Sequence, residues 1–312
     1  MVVLAVVSGV TWESITRPPV NNPAAFLARA REMSPPRPVL VCLGDSLTHG
    51  RVSDDWTMKI PSRVAEKMKF DPPTKADFMD PIWVVNAGQN SITSFVILQE
   101  RLQAALACYP DYIMVMIGSN DVLAMHSPSV SREKVHTFFL PEEPSMPVLK
   151  KNLTAIVDFI TKASPKTELA LCTLPPMGED IGDSINKLVK QANEIVHDVV
   201  DTYNNKNPTT AGGSSKVTVL EVGERLQSEI MQRNKASKSA MSIAMMVPLA
   251  LIMIPLRVFL GMSWKSMTGL SGGSILHDTL HLNEDGGDVI ADIVVEWLFL
   301  KNVHKAIAVK QF

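Results

Sequence analysis

Cysteine, aromatic side chains and any excess of one charge are all scarce in this chain of 312 residues, and each scarcity excludes something. Three cysteines (Cys42, Cys108 and Cys172) are too few and odd in number, which excludes a disulfide framework. Cys42 and Cys172 sit in apolar, strand-like runs, where a thiol serves as a small core residue. A reducing setting, cytoplasmic or membrane-associated, is therefore favoured over secretion. The formal net charge of -2 leaves no basic face for nucleic acid. Aromatics at 6% leave few rings on which sugars could stack. No lysine or arginine precedes the apolar run 2–10, which makes it a poor secretory signal, and it is too short to span a bilayer. Internal repeats and long disordered runs are lacking too.

What is present is enough apolar sequence, 46%, to bury one large core. The stretch Val39 to Gly50, VLVCLGDSLTHG, opens with a short β-branched run of the kind that fills a buried parallel strand. It stops at Gly44-Asp45-Ser46. Further strands are expected at 82–86, 112–117, 168–173 and 217–222, with helices at 23–33, 60–68, 94–107, 148–163, 184–203 and 288–300. Prolines at 35–36 and 72–73 close the first two helices. Residues 118–147 read as rich in loops. Strands alternating with helices imply an α/β domain with a doubly wound parallel sheet. The chain then divides into an N-terminal segment, 1–37, and one domain, 38–312, with an apolar insertion at about 223–276. Right-handed crossovers put every strand's carboxyl end on one edge, where such sheets bind ligands.

That edge collects chemistry. A nucleophilic serine needs a base, a carboxylate to orient the base, and donors aimed at a developing oxyanion. Ser46 follows the first strand. His281, with Asp278 three residues before it, stands in a loop after the fifth, so one loop can present both side chains. Gly88 can offer a backbone N–H and Asn120 a side-chain amide. Asp45 reads as a turn former and His49 as a bystander; His197 and His304 read as surface residues.

Four blocks in order, Gly44-Asp45-Ser46-Leu47, Asn86-Ala87-Gly88, Gly118-Ser119-Asn120-Asp121 and Asp278-Thr279-Leu280-His281, resemble those of the SGNH (GDSL-type) hydrolases. The resemblance implies a three-layer α/β/α, flavodoxin-like sandwich with a five-stranded parallel sheet. It implies hydrolysis of esters, including thioesters or lipid-like acyl esters, with Ser46 as nucleophile, His281 as base and Asp278 as its carboxylate. The oxyanion hole would use the N–H groups of Ser46 and Gly88 and the side chain of Asn120. No metal or organic cofactor is required. Two departures stand out. Many relatives carry a second glycine where this chain has Asn90-Ser91, and Asp-Gly-x-His where it has Asp278-Thr279-Leu280-His281.

The segment Ile243 to Met262 approaches a membrane span in length but carries Pro248, Pro255 and Arg257. It can be buried core, a lid or interfacial patch for peripheral lipid contact, or a span. Rival readings of the site are a carbohydrate O-deacetylase with the same triad, a zinc site on His277 and His281, and a non-catalytic binding domain.

Overall fold

The computed structural model describes residues 2–30, 37–69, 80–208, 217–233 and 243–310. The closing prolines at 35–36 and 72–73 fall outside them.

Five strands form one parallel sheet: β1 (Val39–Gly44), β2 (Trp83–Gly88), β3 (Tyr112–Met116), β4 (Glu168–Cys172) and β5 (Thr218–Leu220). Their spatial order is β2-β1-β3-β4-β5, so β1 has a neighbour on each side. Side chains alternate across the pleat. Val39, Val41 and Leu43 of β1 join one core cluster, with the helices Met146–Ala163 and Ser184–Lys206. Leu40 and Cys42 join the other, with Ile60–Met68, Val222–Arg233 and Glu284–Leu300. Two buried faces explain why the strands are apolar almost throughout. The result is the three-layer α/β/α sandwich.

Several elements differ from the sequence expectation. The stretch 118–147 holds two helices, Ser119–His126 and Pro128–Phe138, whose apolar periodicity is too weak to announce them. Pro128, in the first turn, fits a helix start. The helix expected at 94–107 contains a π-helical turn, Ile97–Arg101. β5 is shorter than expected because Val222 already belongs to the next helix; Asn283 caps the helix Glu284–Leu300 four residues early, and an unexpected helix, Val303–Lys310, follows it.

The apolar segment forms a helix, Ile243–Leu260, that carries both prolines and packs against the N-terminal helix Val2–Thr16. Leu249, Met253 and Ile254 are buried in a third cluster with Val52, Trp264 and Met267. Leu251, Ile252, Val258, Phe259 and Leu260 remain exposed. Among the described residues, no helix is long and apolar enough to cross a membrane.

Candidate active site

β1 delivers Ser46 through a turn that tolerates no side chain at its pivot. A Cβ on Gly44 would stand 2.5 Å from the Met116 carbonyl oxygen of β3. Asp45 then caps the single helical turn Ser46–His49, its Oδ1 accepting from the Leu47 N–H at 3.0 Å. Asp45 is thus a turn former, as its sequence context indicates. Burial pushes its carboxyl up to about 6 against the opposing Leu47 N–H and His281.

The loop after Ile275 brings His281 to Ser46. It is cinched by His277 N–H to the His281 carbonyl (2.9 Å) and Asn283 N–H to the Ile275 carbonyl (2.8 Å). Within it Asp278 Oδ1 accepts the N–H groups of Leu280 (3.1 Å) and His281 (2.7 Å). Asp278 Oδ2 lies 2.7 Å from His281 Nδ1, and His281 Nε2 lies 2.9 Å from Ser46 Oγ. The three groups expected from the sequence are therefore one continuous hydrogen-bonded chain, nearly closed to solvent: Ser46 is 7% exposed and His281 8%. Burial alone would raise the Asp278 carboxyl, but His281, His277 and the hydrogen bonds from His281 hold it well below the usual range. Burial disfavours the His281 imidazolium, yet the Asp278 charge outweighs it and raises the pKa.

Thr279 stands at φ 76° and Ser91 at φ 70°, left-handed conformations that favour glycine. Thr279 falls within the Asp278-Thr279-Leu280-His281 block and Ser91 within the Asn90-Ser91 pair. Here the surroundings hold a side chain in that strained region: the Thr279 carbonyl accepts the Gly178 N–H at 2.7 Å, and Lys134 Nζ donates to Ser91 Oγ.

The oxyanion donors divide. Sheet order places Gly88 on one side of Ser46 and Asn120 on the other. The Ser46 N–H and the Asn120 side-chain amide have no hydrogen-bond partner among the described residues. The Gly88 N–H is not free: it donates to Asn86 Oδ1 at 3.0 Å. What glycine provides at that position is space, since a Cβ there would stand 2.5 Å from the His49 N. Asn86 also donates to the Thr48 carbonyl at 2.7 Å, tying β2 to the nucleophile turn.

Two further groups shape the site and were not singled out in the sequence. Glu179, beyond the Pro175-Pro176 turn after β4, is buried and gathers the start of the base loop. Its carboxylate accepts from Ser274 N (2.7 Å), Ser274 Oγ (2.7 Å), Ile275 N (2.6 Å) and Leu276 N (2.9 Å). Only its place at a strand end signalled it. Trp264 stacks on His277 with ring centroids 4.2 Å apart, and His277 Nε2 lies 2.9 Å from the Val52 carbonyl oxygen. Burial lowers the His277 pKa to about 4, so the ring is neutral and donates to Val52. The zinc reading of His277 and His281 fails on these contacts: His281 has both nitrogens committed, and His277 spends Nε2 on a carbonyl.

The family model for GDSL-like lipases and acylhydrolases matches residues 42–206, more than half of the chain. The chain belongs to this family. It is a carboxylic ester hydrolase, and the match ends before the loop that holds Asp278 and His281. Among curated proteins none matches the chain in sequence. Similar solved structures include the acetylxylan esterase Axe2 from Geobacillus stearothermophilus, at 14% identity and TM-score 0.52, covering 85% of this chain and 95% of that one. The lipase/acylhydrolase from Enterococcus faecalis is 15% identical with TM-score 0.50, covering 84% and 95%. LAE5, an alpha/beta hydrolase enzyme from the metagenome of Lake Arreo, Spain, is 14% identical with TM-score 0.52, covering 85% and 97%. At these identities the likeness establishes the fold.

Two measurements follow from this geometry. Glu179→Gln replaces an acceptor-only carboxylate by an amide with half its acceptor capacity, so it is expected to lower both Tm and kcat/KM, the latter by about tenfold or more. Unchanged turnover in Glu179→Gln would show that the loop holds its place without the clamp. A histidine that serves as a base works only when neutral. A raised His281 pKa therefore moves the acid limb of kcat/KM to higher pH than an ordinary histidine gives. Asp278→Asn should shift that limb down while cutting the rate by about 10⁴; a pH–rate profile on both proteins checks the direction.

Proposed function

We propose that Ser46 is the nucleophile of this hydrolase, His281 its general base and Asp278 the carboxylate that orients the base. The observation that carries the assignment is the unbroken chain Ser46 Oγ–His281–Asp278, with contacts of 2.9 and 2.7 Å. Ser46 Oγ attacks the ester carbonyl as its proton passes to His281 Nε2, and the imidazolium formed is stabilised by Asp278. Collapse of the tetrahedral intermediate expels the alcohol, which takes the proton from His281 and leaves the acyl group on Ser46. Water, deprotonated by the same imidazole, then releases the acid. The Ser46 N–H and the Asn120 amide serve the oxyanion, each contributing about 10²–10³ in rate. Gly88 could join them only by releasing Asn86.

The exposed face of Leu251, Ile252, Val258, Phe259 and Leu260 supports peripheral contact with a lipid surface. The same helix buries its other face against the N-terminal helix, which supports lying on a bilayer rather than crossing it. Three buried, unpaired cysteines support a reducing setting, cytoplasmic or membrane-associated.

A chain-length series of nitrophenyl esters on wild type and Ser46→Ala tests the catalytic assignment. Turnover by wild type is expected to be lost almost completely in the variant; turnover that survives Ser46→Ala removes Ser46 from its role. Co-sedimentation with phosphatidylcholine vesicles tests the lipid contact. Binding should drop sharply in an Ile252→Asp/Phe259→Asp double variant, and equal binding by both proteins would leave this face without that role.

A further inference from the structure

A proton can pass between Ser46 Oγ and His281 Nε2 only while the imidazole stays aimed, and its aim follows the backbone that carries it. Two peptide units flank the His281 Cα. In the first, the His281 N–H donates to Asp278 Oδ1 at 2.7 Å. In the second, which joins His281 to Leu282, the carbonyl accepts the His277 N–H at 2.9 Å. The N–H of that same unit donates to Ser53 Oγ at 3.1 Å. Asp278 and His277 belong to the His281 loop itself. Ser53 comes from outside it and is fully buried.

Ser53 lies seven residues after Ser46, on the segment that leaves the helical turn Ser46–His49. That segment is fastened at both ends. Trp56 Nε1 donates to the Leu47 carbonyl at 2.8 Å, tying it back to the turn of Ser46. Asp54 pairs with Lys59 at 2.8 Å, and Lys59 reaches Asp288 of the helix Glu284–Leu300 at 2.8 Å. Between these ties, three consecutive residues take up the His281 loop and its neighbour Trp264. The Val52 carbonyl oxygen lies 2.9 Å from His277 Nε2, and the Ser53 carbonyl accepts from Trp264 Nε1 at 3.1 Å. The Asp54 N–H donates to the Leu282 carbonyl at 2.9 Å.

Leu282 pairs with Leu276 in an isolated antiparallel bridge, which forms the neck of the loop. The two limbs of the neck have different anchors. Glu179 gathers the limb that enters, through the N–H groups of Ser274, Ile275 and Leu276. Ser53 and Asp54 take the N–H and the carbonyl of Leu282, on the limb that leaves. Only the leaving limb adjoins His281 in the chain, and its anchor is continuous with the turn that carries Ser46. Removing the Ser53 hydroxyl leaves the Leu282 N–H buried without that partner, and the unit 281–282 loses its one hold from outside the loop. The imidazole can then swing, and a displacement of about 1 Å costs a factor of about 10² in rate.

We propose that Ser53 is a positioning residue, which sets the reach of His281 Nε2 to Ser46 Oγ by holding the peptide unit between His281 and Leu282. The inference rests on the reading of Ser46, His281 and Asp278 as a triad and adds a member that acts through the backbone. Nucleophile and base are then spaced by a hydroxyl on the nucleophile's own segment, independently of the Glu179 clamp.

The test compares wild type with Ser53→Ala in two readouts, hydrolysis of nitrophenyl acetate and the low-field proton NMR signal of the His281 Nδ1–H. In the variant kcat should fall by about tenfold to a hundredfold while KM stays within about twofold. The low-field signal should move or broaden, because the ring shifts against Asp278. A serine that only supports the fold would lower Tm and leave both readouts at their wild-type values. That result, or a loss of kcat with the signal unmoved, overturns the inference. If Ser53→Ala does not fold, Trp264→Phe is read in the same way. It keeps a ring beside His277 but removes the donor to the Ser53 carbonyl, so kcat should fall by about threefold or more and the signal should move; unchanged values overturn the inference. If wild type hydrolyses no ester, the hydrolase reading has failed instead. The NMR signal then decides alone: displacement in Ser53→Ala supports the positioning role, and an unmoved signal overturns it.

Discussion

Everything at this site depends on keeping a charged carboxylate, Asp278, buried 2.7 Å from an imidazole. An isolated buried carboxylate would protonate rather than stay charged. Asp278 stays ionised because its own loop folds back on it, supplying two backbone N–H groups and the His281 ring. The loop in turn needs walls. Glu179 gathers its beginning, the Gly178 N–H takes the Thr279 carbonyl, and the stacked pair Trp264–His277 packs beside it. Charge on Asp278 is thus a property of the β4 loop and the segment around Trp264 as much as of the triad.

The fold was legible in the sequence because both sheet faces are buried. Runs such as 39–43 and 112–117 carry their own signature, and parallel topology brings their ends together. Ser46 and Asn120 were legible for the same reason, since each follows a strand end, whereas Asp278 and His281 were legible from their three-residue spacing and matching chemistry. Gly88 was legible as a position but not as a role. Whether its N–H is free depends on the Asn86 side chain, and no local pattern reports that contact. Glu179 was hidden because its partners lie about a hundred residues away. The helices within 118–147 were hidden because one is buried nearly all round and the other is mostly polar, so neither has a clean apolar stripe.

Thr279 and Ser91 show how left-handed backbone can be held at residues other than glycine. Both hold left-handed backbone with side chains that elsewhere would disfavour it. The apolar segment is legible only in part. Its length and prolines were plain, but its partner, the helix Val2–Thr16, is more than two hundred residues away, and the pairing leaves one face buried and the other open.

The separation of 235 residues between Ser46 and His281 also orders events in time. A ribosome adding about 5–20 residues per second makes the serine well before the imidazole, a delay of about 10–50 s. Through that interval the nascent chain carries an ordinary hydroxyl with no base beside it. On the proposed assignment, reactivity arrives only when the last helices emerge and the loop closes, so synthesis itself guards against premature acylation.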